Sequence, residues 1–405
     1  MSDYQFDVAI VGSGPFACFT ALLLAEQNMS VGLITPEHSQ PLDSFLNSLS
    51  ACWPTLNDPP TRADVAHGHD VALYLNDFCT QGVHFFKNKF LPLINDSNNW
   101  IESKCLRIGL KDFEKEELLV AEKLGFSLIK TPEDGVYLDS TNSILCKDKK
   151  IFQDNFIQTL EKNKVQIIQS SAIGLKETQS KCFIDLNNKN KIECEVVVLA
   201  NGLDIAKLIQ RFEKYLIPMS DCLYEYESNR GSDTPPMRPL SFRASNGHIC
   251  GTFIQNNKNL FLRISGPRFL LPGAGAGINL TQTKIEDKTF KSIEKFHKEI
   301  IFPIFAKELG FSSSEEFLNK FEFKITTKKI LADCYPCDEL PLLGEFGKLG
   351  KVLGNTGWLA TGFPAGAWAA KIICDLILNE KSSHLLPRLR PRRLQSAFIK
   401  KHEDL

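Results

Sequence analysis

The sequence predicts a two-lobed α/β protein. A discontinuous Rossmann-like dinucleotide-binding lobe carries an inserted α+β lobe with a mixed or antiparallel sheet. Three observations lead there. The chain has 405 residues, more than one hydrophobic core usually serves. Residues 7–34 read as strand, glycine turn, helix and strand. From Ile217 to about Thr327 the texture changes to alternating strand-like segments, and α/β character returns at Leu340, which makes the middle an insertion.

The elements follow in order. Asp7-Val8-Ala9-Ile10-Val11 is a β-branched run suited to a buried parallel strand. It breaks at Gly12-Ser13-Gly14-Pro15 and becomes helical from Phe16 to Gln27, with Asn28 as a left-handed stop. Val31-Gly32-Leu33-Ile34 is the second strand, completing a βαβ unit. Ala63–Thr80, Phe113–Leu124 and the amphipathic stretch Lys150–Asn163 read as helices. Strands are expected at Val165–Ile168 and Val196–Leu199, the latter ending in Ala200-Asn201-Gly202. In the inserted lobe, Leu260–Ile264 is a strand and Lys291–Glu308 a helix. A last helix runs from about Ala365 to Leu378.

Composition narrows the function classes. Hydrophobic residues make up 43% and charged residues 23%, a globular balance that excludes a disordered chain. Forty-seven basic against forty-eight acidic residues leave a net charge of −1, so no global field draws nucleic acid or an anionic membrane. No apolar run approaches the roughly 18 residues of a spanning helix. The first residues show no leader-like pattern, and the twelve scattered cysteines suit a reducing compartment. A cytoplasmic location is therefore expected.

Gly12-x-Gly14-x-x-Ala17 is a dinucleotide fingerprint in its proper context, after a strand and opening a helix. Gly12 permits the tight turn, Gly14 the approach of a pyrophosphate, and Ala17 close helix–strand packing. Pro15 and Phe16 open the helix whose N-terminus faces the phosphates. The acidic residue that usually binds the ribose hydroxyls would fall at Thr35, and Glu37 stands two residues on. Either Glu37 reaches back, or Thr35 makes a weaker neutral bond.

This fingerprint, the strand end Leu199-Ala200-Asn201-Gly202, the segment Asp338-Glu339-Leu340-Pro341-Leu342-Leu343-Gly344, the closing Leu359-Ala360-Thr361-Gly362-Phe363 and the tail Pro387–Arg393 occur in the order seen in the D-amino-acid oxidase superfamily. The chain resembles that group of FAD oxidoreductases, which includes glycine and sarcosine oxidases. The resemblance fades across 215–330. It implies FAD as cofactor, held by Gly12, Gly14 and Ala17 at the pyrophosphate and by Ser50, Ala51 and Cys52 nearby. Ala172 and Ile173 would lie against the adenine, Gly202 would pass close to the cofactor, and Gly362, Phe363 and Gly366 would form the turn at the flavin ring. It divides the chain into an FAD lobe of residues 1–85, 145–215 and 333–405 and a substrate lobe of 86–144 and 216–332.

One departure bears on the substrate. Amino-acid-oxidising relatives commonly carry a carboxylate-binding arginine at the position where this chain has Asp333. A carboxylate there repels an amino-acid carboxylate and favours a cationic or hydrogen-bond-donating substrate, unless Arg263 or Arg268 replaces the arginine. Asp333 and Tyr335 are the candidate catalytic contacts, with Phe363 and Trp368 as apolar walls and Arg263 as a further substrate contact.

Cys334-Tyr335-Pro336-Cys337 has C-x-x-C spacing with no second pair for zinc, leaving inert thiols, a redox pair or a covalent flavin link. His67-Gly68-His69 lacks the ligands of a metal site, and no metal is expected. Gly273–Gly277 resembles a phosphate loop without its Lys-Ser/Thr ending, and reads as a flexible connection.

The expected function is oxidation of a small-molecule amine or other C–N bond by hydride transfer to flavin, with molecular oxygen or another electron acceptor. The alternatives are a flavin monooxygenase or peptide- or cofactor-maturation flavoprotein, and a non-catalytic FAD-binding protein. The oligomeric state is left open.

Overall fold

The computed structural model describes residues 3–233, 236–380 and 385–394. The remainder of the expected FAD-lobe stretch 333–405, and residues 1–2 of its first stretch, lie outside the described residues.

The βαβ unit forms as read. β1 (Tyr4–Val11) pairs in parallel with β2 (Val31–Thr35) through α1 (Pro15–Glu26). Asn28 adopts φ 63° just past the helix, a conformation asparagine tolerates. Ten consecutive residues of α1, Phe16–Ala25, are buried, because a sheet covers one side and helices the other. β1 also pairs in parallel with Lys191–Leu199, and Gln166–Gln169 extends the sheet beyond β2. On the other side Val352–Thr356 joins Lys191–Leu199 in parallel. This first sheet thus draws its parallel strands from three separated stretches of chain.

A second eight-stranded sheet is mostly antiparallel. Its long strands Leu216–Ser228 and Lys324–Pro336 pair edge to edge, with Met219 opposite Asp333 and Asp221 opposite Leu331. Asn259–Ser265, Ile249–Asn256 and Leu240–Ala244 follow, then Cys105–Ile108 and Val136–Asp139 from the earlier stretch. The 324–336 strand runs past the expected lobe boundary at 332/333, because Asp333–Pro336 keep pairing with Leu216–Met219.

Local details differ from the sequence reading. Ala63–Thr80 is two helices, Pro60–His67 and His69–Phe85, parted at Gly68 with φ 91°. The 291–308 stretch is Asp287–Phe296 and Phe302–Glu308 with a π-helical turn, His297–Ile301, between them. The closing helix starts earlier, at Gly362, and ends at Ile377.

Two large cores result. One packs α1 against the closing helix and an aromatic group that includes Phe19, Phe45, Phe86, Trp100 and Phe152. The other fills the second sheet and its helices around Phe242, Phe253, Phe305 and Phe321. The candidate site lies where the two sheets meet.

Candidate active site

The nucleotide end is built by the βαβ turn. The Gly12 amide donates to the Ile34 carbonyl at 2.9 Å, with φ 138°. A Cβ there would sit 2.4 Å from the Ala200 carbonyl oxygen, so only glycine closes this turn. Gly14 precedes α1, and no side chain caps the helix, which leaves N–H groups and the positive helix end for an anion. A Cβ on Gly14 would meet only the Ser44 hydroxyl, at 3.4 Å; the space it would fill is part of a cradle. Ala17 is fully buried against the sheet.

Thr35 settles inward at the end of β2, and its buried hydroxyl oxygen has no hydrogen-bond partner. Glu37 instead accepts from Asn187 at 2.7 Å. An uncapped helix start and a glycine cradle are a set that FAD fits, since a dinucleotide's pyrophosphate fills such a gap, whereas Thr35 is fully buried and away from the cavity lining, so neither Thr35 nor Glu37 stands at the expected ribose contact.

From this cradle a cavity of about 660 Å³ extends to the second sheet. Gly14, Pro15, Phe16, Ala51, Gly202, Gly362, Phe363 and Asp333 line it, so the fold gathers residues more than 300 positions apart into one space. Gly202 has φ 57° and open space beside it. The closing helix has no side-chain cap at Thr361, and its first turn lines the cavity.

Other expected site residues stand elsewhere. Ser50, buried with φ 56°, supports the turn before Ala51 through its carbonyl, which accepts from Cys146. Cys52 is fully buried beside Cys79, and burial pushes its thiol well up. Ala172 and Ile173 form the bulged start of Ala172–Glu177, away from the cavity lining, with Ile173 62% exposed. A Cβ on Gly366 would lie 3.3 Å from Phe16, so this glycine lets the closing helix pack closely on α1. Trp368 packs edge-on against Phe85, 5.7 Å between centroids, and is no wall of the cavity. Arg263 is buried and donates to the Cys146 carbonyl at 3.0 Å; with Glu225 3.5 Å away, it is held off the cavity. Tyr335 lies behind the lining, under the Arg268 guanidinium at 5.8 Å.

Asp333 does face the cavity. One carboxylate oxygen accepts from the Cys334 amide at 2.7 Å and the other from the Ala360 amide at 2.8 Å. The second bond steadies a turn in which Leu359 and Ala360 both have positive φ. Burial raises the Asp333 carboxyl, with these two bonds and Arg268 opposing. Sequence reasoning missed its neighbour. Asp221 lines the same cavity and accepts from its own Cys222 amide at 2.7 Å and from the Ser265 hydroxyl at 2.9 Å. Burial pushes it up to about 6, partly offset by those bonds and Arg268 and reinforced by Asp333. Its only signal in the sequence was an acid inside an otherwise uncharged strand run, Leu216–Leu223. Trp53, Asn57 and Asn355 also line the cavity and carried no signal.

No lysine, arginine or histidine is among the described residues that line this space, whereas Asp204, Asp221 and Asp333 are. Asp204 is paired with Lys207 at 2.9 Å. Two carboxylates therefore dominate the wall.

The remaining motifs are local structure. Cys334 faces the cavity, but burial pushes its thiol up to about 12, and Cys337 is exposed with its sulfur free. A neutral buried thiol is a poor nucleophile. His69 pairs with Asp64 at 2.8 Å, and no group of three metal-ligating side chains occurs among the described residues. The 273–277 segment is no loose connection: a Cβ on Gly275 would lie 2.1 Å from the Ser220 carbonyl oxygen, and the Gly277 amide donates to Pro218.

The profile of the FAD dependent oxidoreductase family, DAO, matches residues 7–376. The chain belongs to the DAO family. As a DAO-family protein it is an FAD-dependent oxidoreductase. Solved structures agree in fold. Glycine oxidase from Geobacillus kaustophilus superposes with a TM-score of 0.70 at 12% identity, covering 96% of this chain and 98% of that one. L-proline dehydrogenase from P. horikoshii gives 0.67 at 13%, covering 97% and 99%. An L-amino acid deaminase from Proteus vulgaris, with its specific insertion deleted, gives 0.66 at 17%, covering 95% and 92%. Among the described residues no helix is long and apolar enough to cross a membrane.

Proposed function

We propose that this DAO-family enzyme oxidises a small-molecule amine that lacks a carboxylate, with molecular oxygen as final acceptor. One observation carries the reading: the cavity wall holds Asp221 and Asp333 and no cationic side chain among its described residues. An amino-acid carboxylate brought into it would be desolvated beside two like charges, whereas an ammonium would be attracted.

FAD, when bound, supplies the two-electron acceptor for oxidation of the C–N bond. Gly14 and the α1 N-terminus would hold its pyrophosphate, with Gly12 and Ala17 shaping the turn and its packing. The uncapped start of the closing helix lends positive potential to the redox end of the cavity. Asp333 draws in the substrate ammonium. Its raised affinity for protons suits it to take one at a carboxylate oxygen and leave the reacting nitrogen neutral. Leu331, Leu223 and Trp358 line the space with apolar surface and exclude water, and the released imine is then hydrolysed outside. Within the described residues the proposed division is an FAD lobe of 3–85, 145–215, 333–380 and 385–394 and a substrate lobe of 86–144, 216–233 and 236–332, with the 324–336 strand shared.

Anaerobic mixing of the flavin-loaded protein with amines and amino acids tests this. Loss of the oxidised flavin bands is expected with primary or secondary amines. Bleaching by amino acids but not by amines would overturn it.

A further inference from the structure

The proposed reaction uses one carboxylate, and the cavity wall has two. Asp221 and Asp333 are on neighbouring antiparallel strands, where Asp221 is opposite Leu331 and Met219 opposite Asp333. They are therefore diagonal neighbours on one face, with Cα atoms roughly 7–8 Å apart, and both line the cavity. Asp333 is at the redox end, bonded to the turn that enters the closing helix. Asp221 is at the far end, tied to Ser265, near the apolar cluster of Leu49, Trp53, Leu223 and Cys250 with Leu331 against it.

The chemistry assigns the two acids different work. A nitrogen undergoing oxidation needs its lone pair and so cannot stay protonated. A carboxylate that keeps an ammonium is serving another nitrogen. Between the two acids, on the opposite diagonal of the same face, stand Met219 and Leu331, a wall suited to methylenes.

We propose that Asp221 anchors a second, non-reacting cationic nitrogen, so that the cavity takes diamines or polyamines in preference to monoamines. This rests on the amine-oxidation reading above and names its substrate class. The reacting nitrogen sits toward Asp333 and the anchored ammonium toward Asp221, with the alkyl chain across Met219 and Leu331.

The test compares putrescine, cadaverine and spermidine with butylamine and pentylamine on the flavin-loaded enzyme at pH 8. The diamines should show a kcat/KM at least about tenfold higher, the scale of one desolvated charge contact, mainly through KM. In Asp221→Asn the diamine-to-monoamine ratio should fall toward one, and Asp221→Glu should restore part of it. Binding gives an independent readout. A bis-quaternary ammonium alkane should perturb the oxidised flavin spectrum at lower concentration than its mono-quaternary counterpart, and Asp221→Asn should remove the difference. Equal use of mono- and diamines by the wild type would sink the inference and leave amine oxidation standing. Bleaching by amino acids alone would sink both. The wild-type comparison needs no variant, so a misfolded substitution cannot shield the proposal.

Discussion

At the scale of residues, two aspartates give the cavity its character by the company they keep. Both take hydrogen bonds from backbone amides close by, which favour the charged form, and both lose solvent, which disfavours it. For Asp221 burial wins and the carboxyl rises to about 6. The sign for catalysis follows. Below that pH Asp221 is protonated and attracts a cation weakly; above it the carboxylate is present. The kcat/KM for a diamine should therefore climb as pH rises through about 6 and climb again where the free amine loses its proton. Asp221→Asn should remove the part of the lower limb near pH 6, leaving what Asp333 sets, and keep the upper one, as read from a pH–rate profile. Arg263, the expected substrate arginine, shows the opposite fate. Its guanidinium is taken by Cys146 and Glu225, a pairing no sequence spacing reveals.

At the scale of elements, the cofactor end is decided by one turn and two helix starts. Gly12 and Gly14 have different reasons to be glycine. At Gly12 the protein's own Ala200 carbonyl excludes a Cβ; at Gly14 the protein leaves room, and the bound phosphate would not. Gly14→Ala should accordingly fold with an unchanged far-ultraviolet circular dichroism spectrum and bind FAD at least about tenfold more weakly, a loss of about 1.4 kcal/mol or more. Titration of the apoprotein by flavin fluorescence measures it, and wild-type affinity would show that no phosphate approaches Gly14. The closing helix is placed by equally close contacts. A Cβ on Gly82 would lie 2.0 Å from the Pro364 carbonyl oxygen, so His69–Phe85 packs directly on the helix start that lines the cavity.

At the scale of the whole molecule, buried charge joins early chain to the inserted sheet. Arg107 and Arg243 share Asp139, and all three are at most 5% exposed. The two guanidiniums donate to the Thr55 hydroxyl and to the carbonyls of Thr55, Leu56 and Asn57. They thereby fix the segment that presents Trp53 and Asn57 to the cavity. A second tie runs from Lys149 to Glu225 at 2.6 Å and to the Leu46 carbonyl at 2.9 Å. Asp139→Asn leaves two buried cations without a counter-charge and should cost about 3–5 kcal/mol. Urea unfolding followed by tryptophan fluorescence should show the midpoint drop, and a shift under about 1 kcal/mol would mean the pair is solvated after all.

The βαβ unit, its fingerprint, the class of cofactor and the break in texture that marks the inserted lobe are all legible in the chain. These signals are local: periodicity, turn glycines and helix caps are written within a few residues of where they act. Asp333 is singled out only through the family resemblance, as the residue five positions before Asp338, and the structure places it on the cavity wall. Only the tertiary structure decided which side chains share the cavity. Asp221 joins Asp333 through the register of two strands about a hundred residues apart in sequence, while Trp368, Arg263, Ala172 and Ile173 are turned or carried away from it. A one-residue shift of the Leu216–Ser228 strand would turn Asp221 to the opposite face. Side-chain direction across a sheet is fixed by long-range pairing and packing, and neither is visible in the chain near the residue itself.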